Sequence, residues 1–147
     1  MEGENPVKKL KELSKKEVKR RAQAIKLLEQ ITEEIAEPLA ELLGEDEYND
    51  VFKGFIWVHR GLYFRYVEHR EEKDVEKVGF YLTDDLPIWG SPLEDVKGRL
   101  FWQYMIEICE WLENLPTFIQ ELDKGRESFS YLKKIAEAID EAKNRSE

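Results

Sequence analysis

The spacing of the apolar residues changes twice along this 147-residue chain, and that change indicates the fold class. From Val18 to Leu42 apolar residues recur at steps of three and four, as they do on one face of an α-helix. From Val51 to Thr83 β-branched and aromatic residues dominate, which is typical of strands. Beyond Pro92 the helical spacing returns. Because the strands are grouped rather than alternated with helices, the sequence predicts an α+β fold.

The predicted order is a long N-terminal helix, a three-stranded antiparallel β-meander, and two or three C-terminal helices packed on the sheet. We expect a single domain over residues 1–147, in which residues 1–13 form either a flexible basic arm or the first turns of the helix. Ser14 and Glu17 have the spacing of a capping box, which favours a start near residue 14. Apolar residues at the same helical spacing upstream favour a start near Asn5-Pro6 instead.

Proline and glycine mark the expected ends of the helices. Pro38 lacks an amide hydrogen and clashes with the preceding turn, so it should kink or break the first helix before Gly44 stops it. Ser91 as N-cap with Pro92 in the first turn predicts a second helix from Pro92 to Leu115, ended by Pro116. This helix is apolar most of the way round, which predicts that it is central and buried.

The strands are predicted at 51–58, 62–67 and 75–82. If Arg60-Gly61 is the first turn, His59 pairs with Leu62 and Val58 with Tyr63. In that register one face carries Phe55, Trp57, His59, Leu62, Phe64 and Tyr66. The other face carries Ile56, Val58, Tyr63, Arg65, Val67 and His69.

Groups that could carry chemistry are sparse. His59 and His69 fall on opposite faces, and no histidine accompanies Glu107 and Glu110, so we expect neither a metal nor a cofactor. Cys109, the single cysteine, lies in the most apolar helix, where a thiol is usually an inert space-filler. No catalytic residues are predicted, although Glu71 and Lys73 with neighbouring acids leave a metal-dependent hydrolase as an alternative.

Charge is distributed unevenly along the chain. Residues 1–26 hold nine Lys and Arg against four Glu, a net charge of +5, whereas the whole chain carries -9. Such a basic helix could contact phosphates, dock on an acidic protein, or be a solvated face. The candidate residues for binding nucleic acid or an acidic partner are Lys15, Lys16, Lys19, Arg20, Arg21, Arg60 and Arg65.

The sequence therefore predicts a non-catalytic interaction protein, expected in the cytoplasm, that forms a homodimer and binds another protein. A nucleic-acid-binding regulator that uses the basic helix is the alternative. No apolar run approaches the ~20 residues of a membrane span, so no membrane association is expected. The Glu- and Lys-rich composition, with few Asn and Gln, is of the kind found in heat-adapted proteins.

Overall fold

A computed structural model describes residues 5–44, 54–84, 90–122 and 124–146 of the chain. The helices are α1 (Pro6–Leu43), α2 (Gly98–Glu121) and α3 (Glu127–Ser146). The strands are β1 (Phe55–His59), β2 (Leu62–Arg65), β3 (His69–Glu71), β4 (Asp74–Glu76), β5 (Gly79–Leu82) and β6 (Ser91–Pro92). A long helix, then antiparallel strands, then helices is the α+β order that the sequence predicts.

Helix α1 starts at the upstream of its two predicted positions. The Asn5 side chain accepts hydrogen bonds from the amides of Val7 (2.9 Å) and Lys8 (3.4 Å), and Pro6 occupies the first turn. The chain is therefore helical from Pro6 onward rather than a flexible arm, and the predicted start at Ser14 is wrong.

Helix α1 also continues through Pro38, so the predicted break is wrong. Leu39, the next residue, is 3% exposed, and its burial favours continuation of the helix. Gly44 ends the helix with φ of +69°, and its amide donates to the carbonyl of Ala40 at 2.8 Å.

The predicted meander is present as β1-β2-β5, and β6 adds a fourth antiparallel strand beside β5. The third predicted strand, over 75–82, is divided into two. Its first part, β4, pairs with β3 in a separate two-stranded sheet, and only β5 joins β2. The predicted residues 51–53 of the first strand lie outside the described residues.

The β1-β2 register contains a bulge. His59 pairs with Leu62 as predicted, but Trp57, not Val58, pairs with Tyr63. Val58 is the extra residue, and an extra residue reverses the faces of the strand on either side of it. Trp57 and Phe55 consequently lie beside Tyr63, with ring centroids 5.8 and 5.6 Å away, on the face predicted to exclude them.

Helix α2 differs from its prediction at both ends. Ser91 and Pro92 form β6 by pairing with Leu82 and Tyr81, and the helix begins later, at Gly98. It then passes through Pro116 and ends at Glu121. Pro116 therefore does not end the helix as predicted, and residues 117–121 are the last part of α2.

The chain divides into two compact units, the first ending at Ile108 and the second beginning at Cys109, inside α2. Most of the buried apolar residues belong to the first unit. Its completely buried apolar side chains are Leu62, Tyr63, Phe64, Phe101 and Ile108. No helix in the described part of the chain is long and apolar enough to span a membrane.

Candidate interaction surfaces

The interior of the first unit contains an ion pair that the sequence analysis missed. Arg65 is completely buried, and its Nε donates to Glu76 Oε1 at 2.6 Å. The hydroxyl of Tyr63 donates to the same oxygen at 2.6 Å, and the Gly90 amide donates to Glu76 Oε2 at 2.8 Å. The carboxylate therefore joins β2, β4 and Gly90.

This environment disfavours ionisation of two tyrosines. Burial, followed by the hydrogen bond to Glu76, raises the pKa of Tyr63 well above its usual value. Burial, followed by the charge of Glu76, raises the pKa of Tyr81 to about 12. The network keeps its tyrosines neutral, and it supports the sheet rather than a surface function.

Arg65 was predicted to bind nucleic acid or an acidic partner, but it does not reach the surface. Its guanidinium lies 6.0 Å from the ring centroid of Phe55 and 5.7 Å from that of Tyr63. A charged side chain in this position is stabilised by Glu76 and by aromatic rings. Arg65 therefore belongs to the interior of the fold.

The other predicted basic residues are distributed differently. Lys15, Lys16, Lys19 and Arg20 are exposed on α1, and Arg60 is exposed in the β1-β2 turn. Arg21 is half-buried and donates through Nη1 to the carbonyl of Val96 at 3.1 Å. Of the predicted binding residues on α1, therefore, Lys15, Lys16, Lys19 and Arg20 lie at the surface.

The orientation of α1 is fixed by a second contact of the same segment. Trp102 Nε1 donates to both carboxylate oxygens of Glu17, at 3.1 and 2.8 Å. The Trp102–Glu17 and Arg21–Val96 hydrogen bonds together hold one side of α1 against the rest of the first unit. The lysines at 15, 16 and 19 consequently point into solvent.

Both histidines have specific surroundings. The His59 ring stacks near Tyr104, with centroids 6.1 Å apart, and its Nε2 lies beside Glu107 Oε2. Its Nδ1 lies 2.7 Å from the carbonyl oxygen of Arg60. His69 is 8% exposed in β3. Among the residues that the structure describes, no three His, Cys, Asp or Glu side chains are grouped closely enough to hold a metal ion.

Within the described ranges the chain exposes more large apolar side chains than it buries. Seventeen are more than a third exposed, against twelve buried, and all but Trp57 of the exposed ones lie on helices or, for Leu122, directly after one. Scattered exposed apolar residues are ordinary, but contiguous apolar patches mark interaction sites. The helices are therefore the candidate interaction surfaces.

Helix α3 carries the clearest example. Every position from 127 to 145 is exposed. Apart from Tyr131, its large apolar residues recur at helical spacing on one side, and we call them the α3 stripe: Phe129, Leu132, Ile135 and Ile139, which are 61, 60, 41 and 51% exposed.

Helix α2 is only partly buried, which corrects the prediction that it is covered on several sides. Ile106 is 60% exposed and Phe118 43% exposed, and Cys109 is an exposed free thiol rather than a space-filler in the core. An apolar side chain at an interface has the same sequence signature as one in a core. The sequence therefore could not distinguish the two.

A cleft of about 500 Å³ lies beside the C-terminal half of α1. Leu28, Phe80 and Phe101 contribute apolar lining, whereas Glu29, Glu33 and Glu94 contribute negative charge. A second hollow extends the cleft toward Glu37 and Glu68. The residues that line both are Glu29, Thr32, Glu33, Lys77 and Val78, so acidic side chains outnumber the one lysine. We refer to the cleft and the hollow together as the acidic groove.

Comparison of the chain with protein-family models, with curated proteins and with solved structures gives no match. The function is therefore inferred from the surfaces described above.

Proposed function

We propose that this protein is a non-catalytic interaction protein of the cytoplasm that forms a homodimer and binds another protein. The observation that supports this most directly is the excess of exposed over buried large apolar side chains in the described residues. The buried ionisable groups Arg65, Glu76 and Tyr63 bind one another, so they serve the fold rather than a reaction. The exposed Cys109 would stay a thiol in the reducing cytoplasm that this proposal assumes.

The α3 stripe is the surface that we assign to the protein partner. In proteins most of the stability of a helix comes from packing of its apolar face, and the α3 stripe is exposed. Burial of one Leu, Ile or Phe side chain contributes roughly 1.5–3 kcal/mol. A partner with an apolar groove would bury several at once, as in helix-in-groove recognition.

Replacing Leu132 and Ile139 by serine is expected to abolish partner binding, because it removes two of the four apolar side chains of the stripe. The matched control replaces Lys134 and Glu141 by serine, which introduces the same residue on the opposite side of the helix. Proteins captured from an extract of the host, compared by quantitative mass spectrometry, provide the measurement. Light scattering of the purified protein provides the dimer mass.

A protein that is retained by the native chain and by the control, but lost with the stripe variant, supports the proposal. Equal retention by all three chains contradicts the assignment of α3. A monomeric mass at every concentration, together with no specifically retained protein, contradicts the proposed function as a whole.

A nucleic-acid-binding regulator is the second candidate, and the exposure of Lys15, Lys16, Lys19 and Arg20 favours it. Exposed cations that displace counterions from phosphates give an affinity that falls steeply with salt. The rest of the chain carries a net negative charge, so this part of α1 is the surface that we expect to face a phosphate backbone.

Charge reversal at Lys15, Lys19 and Arg20 is expected to abolish any binding of duplex or single-stranded DNA or RNA at low salt. Arg21 is left unchanged because it holds Val96. Reversal of Lys133 and Lys134, which are exposed on α3, is the control. Fluorescence anisotropy from low to moderate salt measures the affinity. The candidate fails if the native chain does not bind, or if its affinity is insensitive to salt.

A further inference from the structure

The charges of α1 are separated along its length. From Pro6 to Arg21 the helix carries eight Lys and Arg against two Glu, and from Ala22 to Leu43 it carries one Lys against five Glu. Two such helices attract each other when antiparallel, since the basic half of each lies beside the acidic half of the other. When parallel, they repel.

The separation is sharpest along one side of α1. At helical steps of three and four residues this side changes from basic to acidic at its centre, and we call it the α1 seam: Val7, Lys11, Lys15, Val18, Ala22, Ile25, Glu29, Glu33 and Ala36. Val7 and Val18 are 58 and 56% exposed, and Lys11, Lys15, Glu29 and Glu33 are also exposed. The seam thus offers both apolar contact and charge.

The acidic half of the α1 seam forms one wall of the acidic groove. Ile25, Glu29 and Glu33 of the seam line the cleft, and its other wall runs from Lys77 to Tyr81. An occupant must therefore present apolar side chains together with positive charge. The N-terminal half of α1 has this composition, because Val7 and Val18 flank Lys11 and Lys15 on its seam.

We infer that two copies of this chain pair through α1, antiparallel, with the basic half of each helix against the acidic groove of the other. A two-fold axis beside Ala22 sets Lys11 against the partner's Glu33 and, in the same register, Lys15 against the partner's Glu29. Symmetry repeats both pairs. Ala22, which has a small side chain and is exposed, lets the helices approach closely at the axis. This inference rests on the proposed homodimer and identifies its interface.

A second copy fits this surface better than a nucleic acid does. Phosphates would meet Glu29 and Glu33 on the same seam that carries Lys11 and Lys15, and like charges repel. Phosphates would also leave Val7 and Val18 in water. In the pairing of two copies the acids and the apolar residues both gain partners.

Charge reversal and its rescue test the pairing. Lys11→Glu with Lys15→Glu is expected to weaken dimerisation about tenfold or more, because four attractive pairs become repulsive across the symmetric interface. Glu29→Lys with Glu33→Lys is expected to do the same, and the chain with all four changes should dimerise again. Lys16→Glu with Arg20→Glu changes the charge equally on the other side of α1 and should leave the dimer intact. Analytical ultracentrifugation measures each dissociation constant.

Cross-linking tests the position of the axis. In a chain with Cys109→Ser, Ala22→Cys is expected to form a disulfide between copies under mild oxidation, whereas Gln23→Cys, which lies off the seam, should not. If the charge reversals leave the dissociation constant of the dimer unchanged, or if residues 22 and 23 cross-link equally, the interface through α1 is wrong. The proposed homodimer itself would still stand. A monomer at all concentrations overturns both. Loss of nucleic-acid binding in the Lys11 and Lys15 variant, without a change in mass, would favour the second candidate instead.

Discussion

Glu76→Gln is expected to lower the free energy of unfolding by about 3–5 kcal/mol, because it removes the counter-charge of a completely buried Arg65. The glutamine can still accept from Tyr63, but a neutral oxygen does not compensate a guanidinium that has no access to water. Urea unfolding, followed by circular dichroism, measures the change.

The control for this prediction is an ion pair on the surface of the same unit. Glu68 lies 3.7 Å from Arg70, and both side chains are substantially exposed. Glu68→Gln should therefore change the stability by less than about 1 kcal/mol. A chain with both Arg65→Met and Glu76→Leu should recover part of the loss, since no unpaired charge is buried. Equal effects of Glu76→Gln and Glu68→Gln would contradict the role assigned to the network.

Gly54→Ala is expected to destabilise the protein by about 2–5 kcal/mol, from two sources that add. Gly54 has φ of +81°, a conformation that costs an alanine about 1–2 kcal/mol. An added Cβ would also lie 2.6 Å from Val67 Cβ, and overpacking of this kind typically costs about 1–3 kcal/mol. Relief of the clash is opposed because the Gly54 carbonyl accepts from the amides of Tyr66 and Val67.

Gly44 separates the two contributions. It has φ of +69°, but an added Cβ meets no atom within 4 Å. Gly44→Ala should therefore cost only the conformational part, about 1–3 kcal/mol, because φ of +69° with ψ of -167° is a conformation that glycine almost alone adopts. The same unfolding measurement on both variants shows whether Gly54→Ala carries an additional steric cost. If the two substitutions are equally destabilising, the contact between Gly54 and Val67 is not tight in solution.

Helices and strands that are determined by residues close together in the sequence were predictable. Those that depend on pairing with residues far away in the sequence were not. The spacing of apolar residues predicts α1, because the backbone hydrogen bonds of a helix join residues that are close in the sequence. Pro92 shows the limit: its φ of -57° suits a helix start, but ψ of 138° makes it extended. That ψ is chosen by pairing with Tyr81, which the residues around Pro92 do not reveal.

The bulge at Val58 was hidden for a related reason. Register is specified when one face of a strand is apolar and the other polar. Both faces of this hairpin are rich in apolar residues, so either register buries them. The position of Arg65 in the interior was hidden as well, because its partner Glu76 belongs to another strand.

The candidate surfaces were predictable only where charge marks them. The basic residues of α1 are conspicuous in the sequence, and most of them are exposed. Exposed Ile106 and the α3 stripe are not conspicuous in the sequence. Apolar residues at helical spacing predict a buried helix face, but the same spacing occurs whether that face packs inside the protein or against a partner.

The carboxylate of Glu76 also determines how the small sheet opens. A two-stranded hairpin such as β3-β4 is at best marginally stable on its own, and its amides would normally exchange with solvent through frequent local fraying. Here opening of β4 would break the hydrogen bonds of Glu76 with Arg65 and with the amide of Gly90. We therefore expect the hairpin and the central strand β2 to open together, so that the amides of β4 exchange hydrogen as slowly as those at the centre of the larger sheet.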